Sequence, residues 1–475
     1  MKDHIEELKE EKKIDELMEI LQEGETAERE DAAKALGMLN LDDLDEDVDG
    51  KIVPALVERV EKDEEATVRA NAVLALGHQG SEIAKEALEE ASEDDHWEVR
   101  HDAAIAMGEY QESYFKEILY SLLEDEEREI QRKAIDSLGK IGRKEEDEEI
   151  ISKLEGYLDE PELKKEAVEA IGKIGTDKAL DPLIQVFAES DREIREIAIS
   201  RLGEMEGERV EEVLKKALED DSWRVREEAA KLLGKREHDE EVVGSLLKRS
   251  EDENSHVVEE ALKSLGSLGI EGEKELEKIE EKLQNQDPAI RIASAEALER
   301  IDTEDSCQFL VEALRTEDNP RVLWSTSDSL AEISKNHLKE FTDKLERIGR
   351  SKRIFADAAM GKAGFSSYAE ELNSMLEDDR WKVRQKAAEA FRGIDGEELN
   401  KKTARSALRK LSERLEDNDK WVRAESARTL GDMVYDLEGK VETEKAEEKI
   451  LKRAEVEGDP DVQEALDYAK NLLDI

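Results

Sequence analysis

A small residue, most often glycine, closes a short apolar-striped segment again and again along this chain. The pattern ends at Gly37, Gly77, Gly108, Gly139, Gly172, Gly203, Gly234 and Gly266, and continues less regularly at Glu299, Ala331, Gly364, Arg392, Gly431 and Asn471. From Gly77 to Gly364 the intervals stay between 31 and 33 residues. A fixed period of this length signals stacked supersecondary units rather than one central core. Asp220–Gly234, reading DDSWRVREEAAKLLG, shows the logic of one unit. Asp221 or Ser222 caps a helix at its start, Val225, Ala229, Leu232 and Leu233 fall on one face, and Gly234 is expected as a left-handed helix end. The preceding stretch, 210–218, repeats the stripe with Val210, Val213, Leu214, Ala217 and Leu218. Two such short helices cannot bury their apolar faces alone, so each unit needs a neighbour of its own kind.

Within the unit a Val-Arg pair recurs nine and eight places before the end, as Val68-Arg69, Val99-Arg100, Val225-Arg226, Val383-Arg384 and Val422-Arg423. Ile194-Arg195 and Ile290-Arg291 are variants of it. This D-x-x-V-R-x-x-A-A-x-x-L-G pattern resembles HEAT repeats, in the short form named after phycobilin lyases. The resemblance covers nearly the whole chain. It implies an all-α fold, a right-handed α-solenoid of about fourteen helix pairs. In it the first helix of each pair faces outward and the second lines a concave surface. It also implies that the Arg of each Val-Arg pair braces turn aspartates of neighbouring units.

The 475 residues then read as one elongated domain. An N-terminal cap and first repeats occupy 1–77, regular acidic repeats 78–299, divergent and locally basic repeats 300–431, and a C-terminal cap 432–475. The net charge of −54 argues against broad nucleic-acid binding, because phosphate contacts need a basic surface. Such acidity suits either a halophilic, salt-screened surface or a platform for basic partners. A single cysteine, Cys307, forbids an internal disulfide and points to a reducing cytoplasm. No stretch has the length and apolarity of a membrane span.

Three features break the regularity. Residues 40–50 are an insertion whose Asp45, Asp47 and Asp49, followed by Gly50, resemble the first half of a calcium loop. The twelfth position holds Leu56 in place of the bidentate Glu, and an acidic surface loop is the competing reading. In repeat ten, Trp324 stands where other repeats carry Lys165, Glu196, Glu227 or Glu259, and Ile292 holds the same place in repeat nine. These two form an expected apolar contact patch beside a run of hydroxyls, unless Trp324 folds back into the core. Residues 335–414 carry 19 basic against 14 acidic side chains. There Arg350, Lys352 and Arg353 replace an acidic turn, and Lys401, Arg405 and Arg409 share a helical face. Together with Ile292 and Trp324 these are the candidate partner-binding residues. Trp97, Trp223 and Trp381, two places before the valine, are expected to cover the junction between paired helices.

Catalytic patterns are missing. None of the seven histidines is followed by Glu, so the His-Glu dyads of the HEAT-like di-iron hydroxylases do not carry over. No H-E-x-x-H, C-x-x-C, G-x-S-x-G or P-loop occurs. The expected function is therefore a non-catalytic scaffold for an unidentified protein partner, without a cofactor. A HEAT-like enzyme of the glycosylase or lyase type, needing an acid beside aromatics in a deep pocket, and a calcium-responsive adaptor are the alternatives.

Overall fold

The computed structural model describes residues 2–39, 46–270, 272–333, 335–349 and 351–475, and among them there are helices and no strand. After an N-terminal helix, Lys2–Glu10, fourteen helix pairs follow, from Ile14–Glu23 with Thr26–Gly37 to Glu444–Ala454 with Pro460–Leu473. In repeat eleven the first helix is split into Lys335–Glu340 and Thr342–Glu346. The described chain divides into two compact units, Met1–Ala229 and Ala230–Ile475, and the division falls inside the helix Trp223–Leu233.

Each unit is built the same way. Second helices stack on second helices in one row, and first helices form the layer beside them. In the first unit Thr26–Gly37, Ala66–Gln79, Trp97–Tyr110 and Arg128–Glu145 pack in succession; in the second, Ser255–Leu268, Pro288–Ile301 and Pro320–Glu332 do so. The stripes predicted from periodicity are the buried ones: Val68, Ala72, Val73 and Leu76 are fully enclosed, as are Val99, Ala103 and Met107. Each enclosed leucine or valine contributes about 1.5–3 kcal/mol by leaving water, so stability is spread over many small interfaces.

At most of the punctuating positions glycine has a different role from the one expected, although Gly364, with φ +84°, is left-handed as the pattern predicts. None of Gly37, Gly77, Gly108, Gly139, Gly234, Gly266 or Gly431 adopts a left-handed conformation. A Cβ on Gly77 would stand 2.7 Å from both Cα and Cβ of Ala106, and one on Gly37 would stand 2.6 Å from Ala75. Gly108 meets Ser137, Gly234 meets Ser264, Gly266 meets Ala297 and Gly431 meets Ala469 in the same way. The residue met lies two places before the next repeat's own punctuating position. The glycine therefore lets successive second helices approach backbone to backbone. The left-handed helix end comes three residues later in several repeats, at Gly80, Gln111, Gly175, Gly269 and Asp302.

A second device ties the turns. Arg69 donates to both carboxylate oxygens of Asp94 at 2.7 and 2.9 Å and to the carbonyl of Asp63 at 2.9 Å. Arg100 does the same with Asp125, at 2.8 and 3.1 Å, and with the carbonyl of Asp94, at 2.8 Å. Arg29 to Asp63 and Arg195 to Asp220 extend this ladder in the first unit. Arg291 to Glu317, Arg384 to Asp417 and Arg423 to Glu457 extend it in the second. Each turn carboxylate also accepts the N–H two residues on, as Asp94 does from His96 and Asp417 from Asp419. Burial opposes ionisation of these carboxyls, but the arginine and backbone hydrogen bonds outweigh it. Asp94, Asp125 and Asp417 sit below the usual range, and Glu457 falls to about 2. The expected bracing role of the Val-Arg arginines is thus met in both units.

Candidate interaction groove

Both devices lapse in the same place. The punctuating glycine becomes Glu299 in repeat nine and Ala331 in repeat ten. The arginine becomes Leu323 in repeat ten, and Phe355-Ala356 replaces Val-Arg in repeat eleven. Pro320–Glu332 and Arg353–Lys362 pack on one another without the close-approach glycine or the bracing arginines. In front of them lies a groove of about 1090 Å³ that crosses four second helices, from Pro288–Ile301 to Trp381–Phe391.

Its floor is apolar. Trp324 lies half-buried against the core of the second unit, as does Ile354, and its ring meets Phe355 edge-on at 4.5 Å between centroids. Ile292, Leu323 and Val383 add aliphatic surface, and Trp381, 42% exposed, closes one side with the Lys382 ammonium 5.3 Å from its ring centroid. Both expectations for Trp324 therefore hold in part, since it packs on the core and still lines open space. The neighbouring hydroxyls are another matter. Thr326, Ser327 and Ser329 are buried, and Ser327 donates to the Phe355 carbonyl at 2.7 Å, so this run is packing rather than surface.

Charge around the floor is mostly spent on internal pairs. Lys386 bonds both oxygens of Asp328 at 2.8 Å and reaches Glu389 at 2.8 Å. Lys352 pairs with Asp318 at 3.1 Å and donates to the Arg315 carbonyl at 2.9 Å, adding to the hold that Arg291 has on the same turn through Glu317. Arg380 holds Asp378 through two contacts of 2.9 Å. Two carboxylates differ. Glu296 and Glu299 are half-buried, line the groove, and have no ion pair among the described residues. Burial pushes the Glu299 carboxyl above its ordinary range and the charges of Glu332 and Glu296 push it further, against a hydrogen bond with Ser329.

The candidate residues separate. Ile292, Trp324 and Lys352 come together in the groove. Arg353 turns to Asp357, 2.7 Å away, and to the Glu346 carbonyl, and does not line it. Lys401, Arg405 and Arg409 are exposed on the first helix of repeat thirteen, outside the groove lining, with Arg409 paired to Glu413 at 3.2 Å. Arg350 and Asp45 lie outside the described residues, and of Asp47 and Asp49 only the backbone is described. That backbone belongs to the helix Glu46–Lys62, so Gly50 stands in a helix rather than a turn. Cys307 is a free, buried thiol that burial pushes up to about 12. Sequence assigns Trp381 to a helix junction and Glu299 to the punctuating column, and singles out neither Phe355 nor Glu296. The Phe355-Ala356 break in the Val-Arg column was the available signal for the first.

No curated protein sequence matches the chain. Among solved structures it is similar to Kap121p bound to Pho4p, at 13% identity and a TM-score of 0.59, covering 96% of this chain and 53% of that one. Importin beta gives 14% identity and a TM-score of 0.54 over 96% of this chain and 73% of that one. Yeast importin-beta (Kap95p) gives 13% and 0.54, over 97% and 72%. At these identities the likeness is one of fold, that of an α-solenoid. The model of HEAT repeats matches at 14–108, 84–162, 117–203, 148–224, 210–283 and 261–331, which together span well over half of the sequence. With the helix pairs, the close-packed glycines and the arginine ladder, this establishes that the chain belongs to the HEAT-repeat family.

Proposed function

We propose that this protein is a non-catalytic interaction scaffold that docks a protein partner in the groove of repeats nine to twelve. The observation that carries the reading is the concentration of Trp324, Phe355 and Trp381 along one open groove, in a chain of which aromatics make up 4%. Aromatic side chains beside aliphatic ones, rimmed by charge, are the usual energetic centre of a protein interface. Solenoids of similar fold have been solved with protein partners, Kap121p with Pho4p and Kap95p with Nup1. No described helix is long and apolar enough to cross a membrane. The lone buried thiol of Cys307 suits a reducing cytoplasm.

Affinity purification from the native cell, at its own salt concentration, tests the reading. A partner recovered with the natural chain is expected to be lost with Trp324→Ala and kept with Arg405→Glu/Arg409→Glu. Equal recovery with Trp324→Ala would remove the groove from the account.

One observation favours a second reading. Glu299, held above its ordinary titration range beside aromatics, has the environment of a general acid, as a glycosylase-type enzyme would require. Release of a modified base from DNA, lost with Glu299→Gln, would support it. An unchanged substrate would dispose of it.

A further inference from the structure

We infer that the segment docked in this groove presents an apolar or aromatic side chain beside a lysine or arginine, and that Glu296 and Glu299 receive its cation. The inference rests on the docking reading above and adds the chemistry of the occupant.

Charge complementarity carries it. Of the other acidic groups lining the groove, Asp318 has Lys352, Asp328 has Lys386 and Lys362, and Asp379 is exposed to water at the rim. Glu296 and Glu299 stand one helical turn apart on Pro288–Ile301, on the same side of the helix as Ile292. They line the groove half-buried and without an ion pair among the described residues. Two like charges held together, partly out of water, are unfavourable until a cation arrives. Burial and mutual repulsion already hold Glu299 above its ordinary range. Trp324, half-buried on the Phe355 ring, lines the groove with them and offers surface for an apolar side chain, and an aromatic face also favours an adjacent cation. An anionic segment would meet these two carboxylates uncompensated. On the basic side, Arg321 is exposed at the rim and has no side-chain partner among the described residues, while Lys352 and Lys386 are already engaged.

Selection of phage-displayed random heptapeptides on the full chain, with counter-selection on Trp324→Ala, supplies the probe. The most enriched peptide is then synthesised with a fluorophore and its anisotropy titrated. We expect the enriched sequences to pair Lys or Arg with an aromatic or branched aliphatic residue. Glu296→Gln/Glu299→Gln should weaken binding by about tenfold or more, and raising salt from about 50 to about 500 mM should weaken the natural chain more than the double variant. The glutamines keep size and hydrogen bonding, so an unfolding midpoint no lower than that of the natural chain certifies the fold. Enrichment of acidic or uncharged peptides, or an affinity untouched by the double variant, overturns the cation seat. If Trp324→Ala abolishes binding while the double variant does not, the groove stands and only this inference falls. If no peptide distinguishes the natural chain from Trp324→Ala, both fall.

Discussion

Repeats two and three differ from repeats ten and eleven in two side-chain positions, and the difference separates a structural wall from an open surface. In the former, Gly77 and Gly108 bring second helices into backbone contact, and Arg69 and Arg100 pin each turn to the next. In the latter, Ala331 replaces the glycine and Leu323 and Ala356 replace the arginines. Lys352 reaches back to the turn of the preceding repeat, and Trp324 and Phe355 line a groove. In a solenoid each repeat answers only to its neighbours, so such a lapse costs stability locally without unravelling the rest. A surface for partners can therefore arise by omitting the two devices that close the other repeats.

The largest expected effect lies in the ladder. Arg100→Ala strands the mostly buried carboxylate of Asp125 and should cost about 2–4 kcal/mol in urea unfolding. Lys352→Ala leaves Asp318, whose side chain is 93% exposed, free to hydrate, and should cost less than about 1 kcal/mol. Equal losses would erase the contrast between the two regions.

Glycine gives the next largest. Gly77→Ala forces a Cβ against the backbone of Ala106 and should cost about 1–2 kcal/mol even after the gain in helix propensity. Gly244, inside the helix Glu240–Arg249, has open space where its Cβ would go. Gly244→Ala should therefore stabilise by about 0.5–1 kcal/mol. If both substitutions destabilise alike, close approach is not what the punctuating glycine supplies.

Acid should sharpen the comparison further. Asp125 has a folded pKa below its unfolded one, so its contribution is present above about pH 4 and fades as pH falls through the folded value. Glu299 has a raised folded pKa, so its charge penalises folding above that value and is relieved on acidification. The gap between the natural chain and Arg100→Ala should thus narrow below about pH 4. The gap between Glu299→Gln and the natural chain should narrow at a higher pH than that, as acidification passes through the raised pKa of Glu299. Urea titrations at several pH values check both signs. A modest stability effect is expected from Trp324→Ala, under about 1.5 kcal/mol because the ring is only half-buried, although its effect on partner recovery should be the largest.

Much of the fold was legible because it rests on periodicity. The stripe of Val225, Ala229, Leu232 and Leu233 is buried as the spacing demands, and the fourteen predicted units match fourteen helix pairs. The role of Gly77 was not legible, since a helix-ending glycine and a close-contact glycine look alike until the next helix is in place. Trp324 and Ile292 stood out as apolar residues at charged positions, and the structure brings them together. Trp381 did not, because its position is shared with Trp97, which lies on a regular repeat; both are in fact nearly half exposed. The basic residues clustered in sequence at 350–353 and 401–409 were read as one island. Side-chain pairing divides them, since Lys352 and Arg353 serve neighbouring turns and Arg405 and Arg409 sit on a first helix. Glu299 acquires meaning only from what it lacks, a cation, which no spacing reports.

Site-specific photo-crosslinking compares the two kinds of surface most directly. A photoreactive residue is placed at Ser325, in the groove, and in a second protein at Glu196, the counterpart of the adjacent Trp324 on the regular row, two places after the Ile of Ile194-Arg195. Docking in the groove predicts a partner adduct from position 325, suppressed by Trp324→Ala, and none from position 196. Adducts from position 196 with none from position 325 would contradict it.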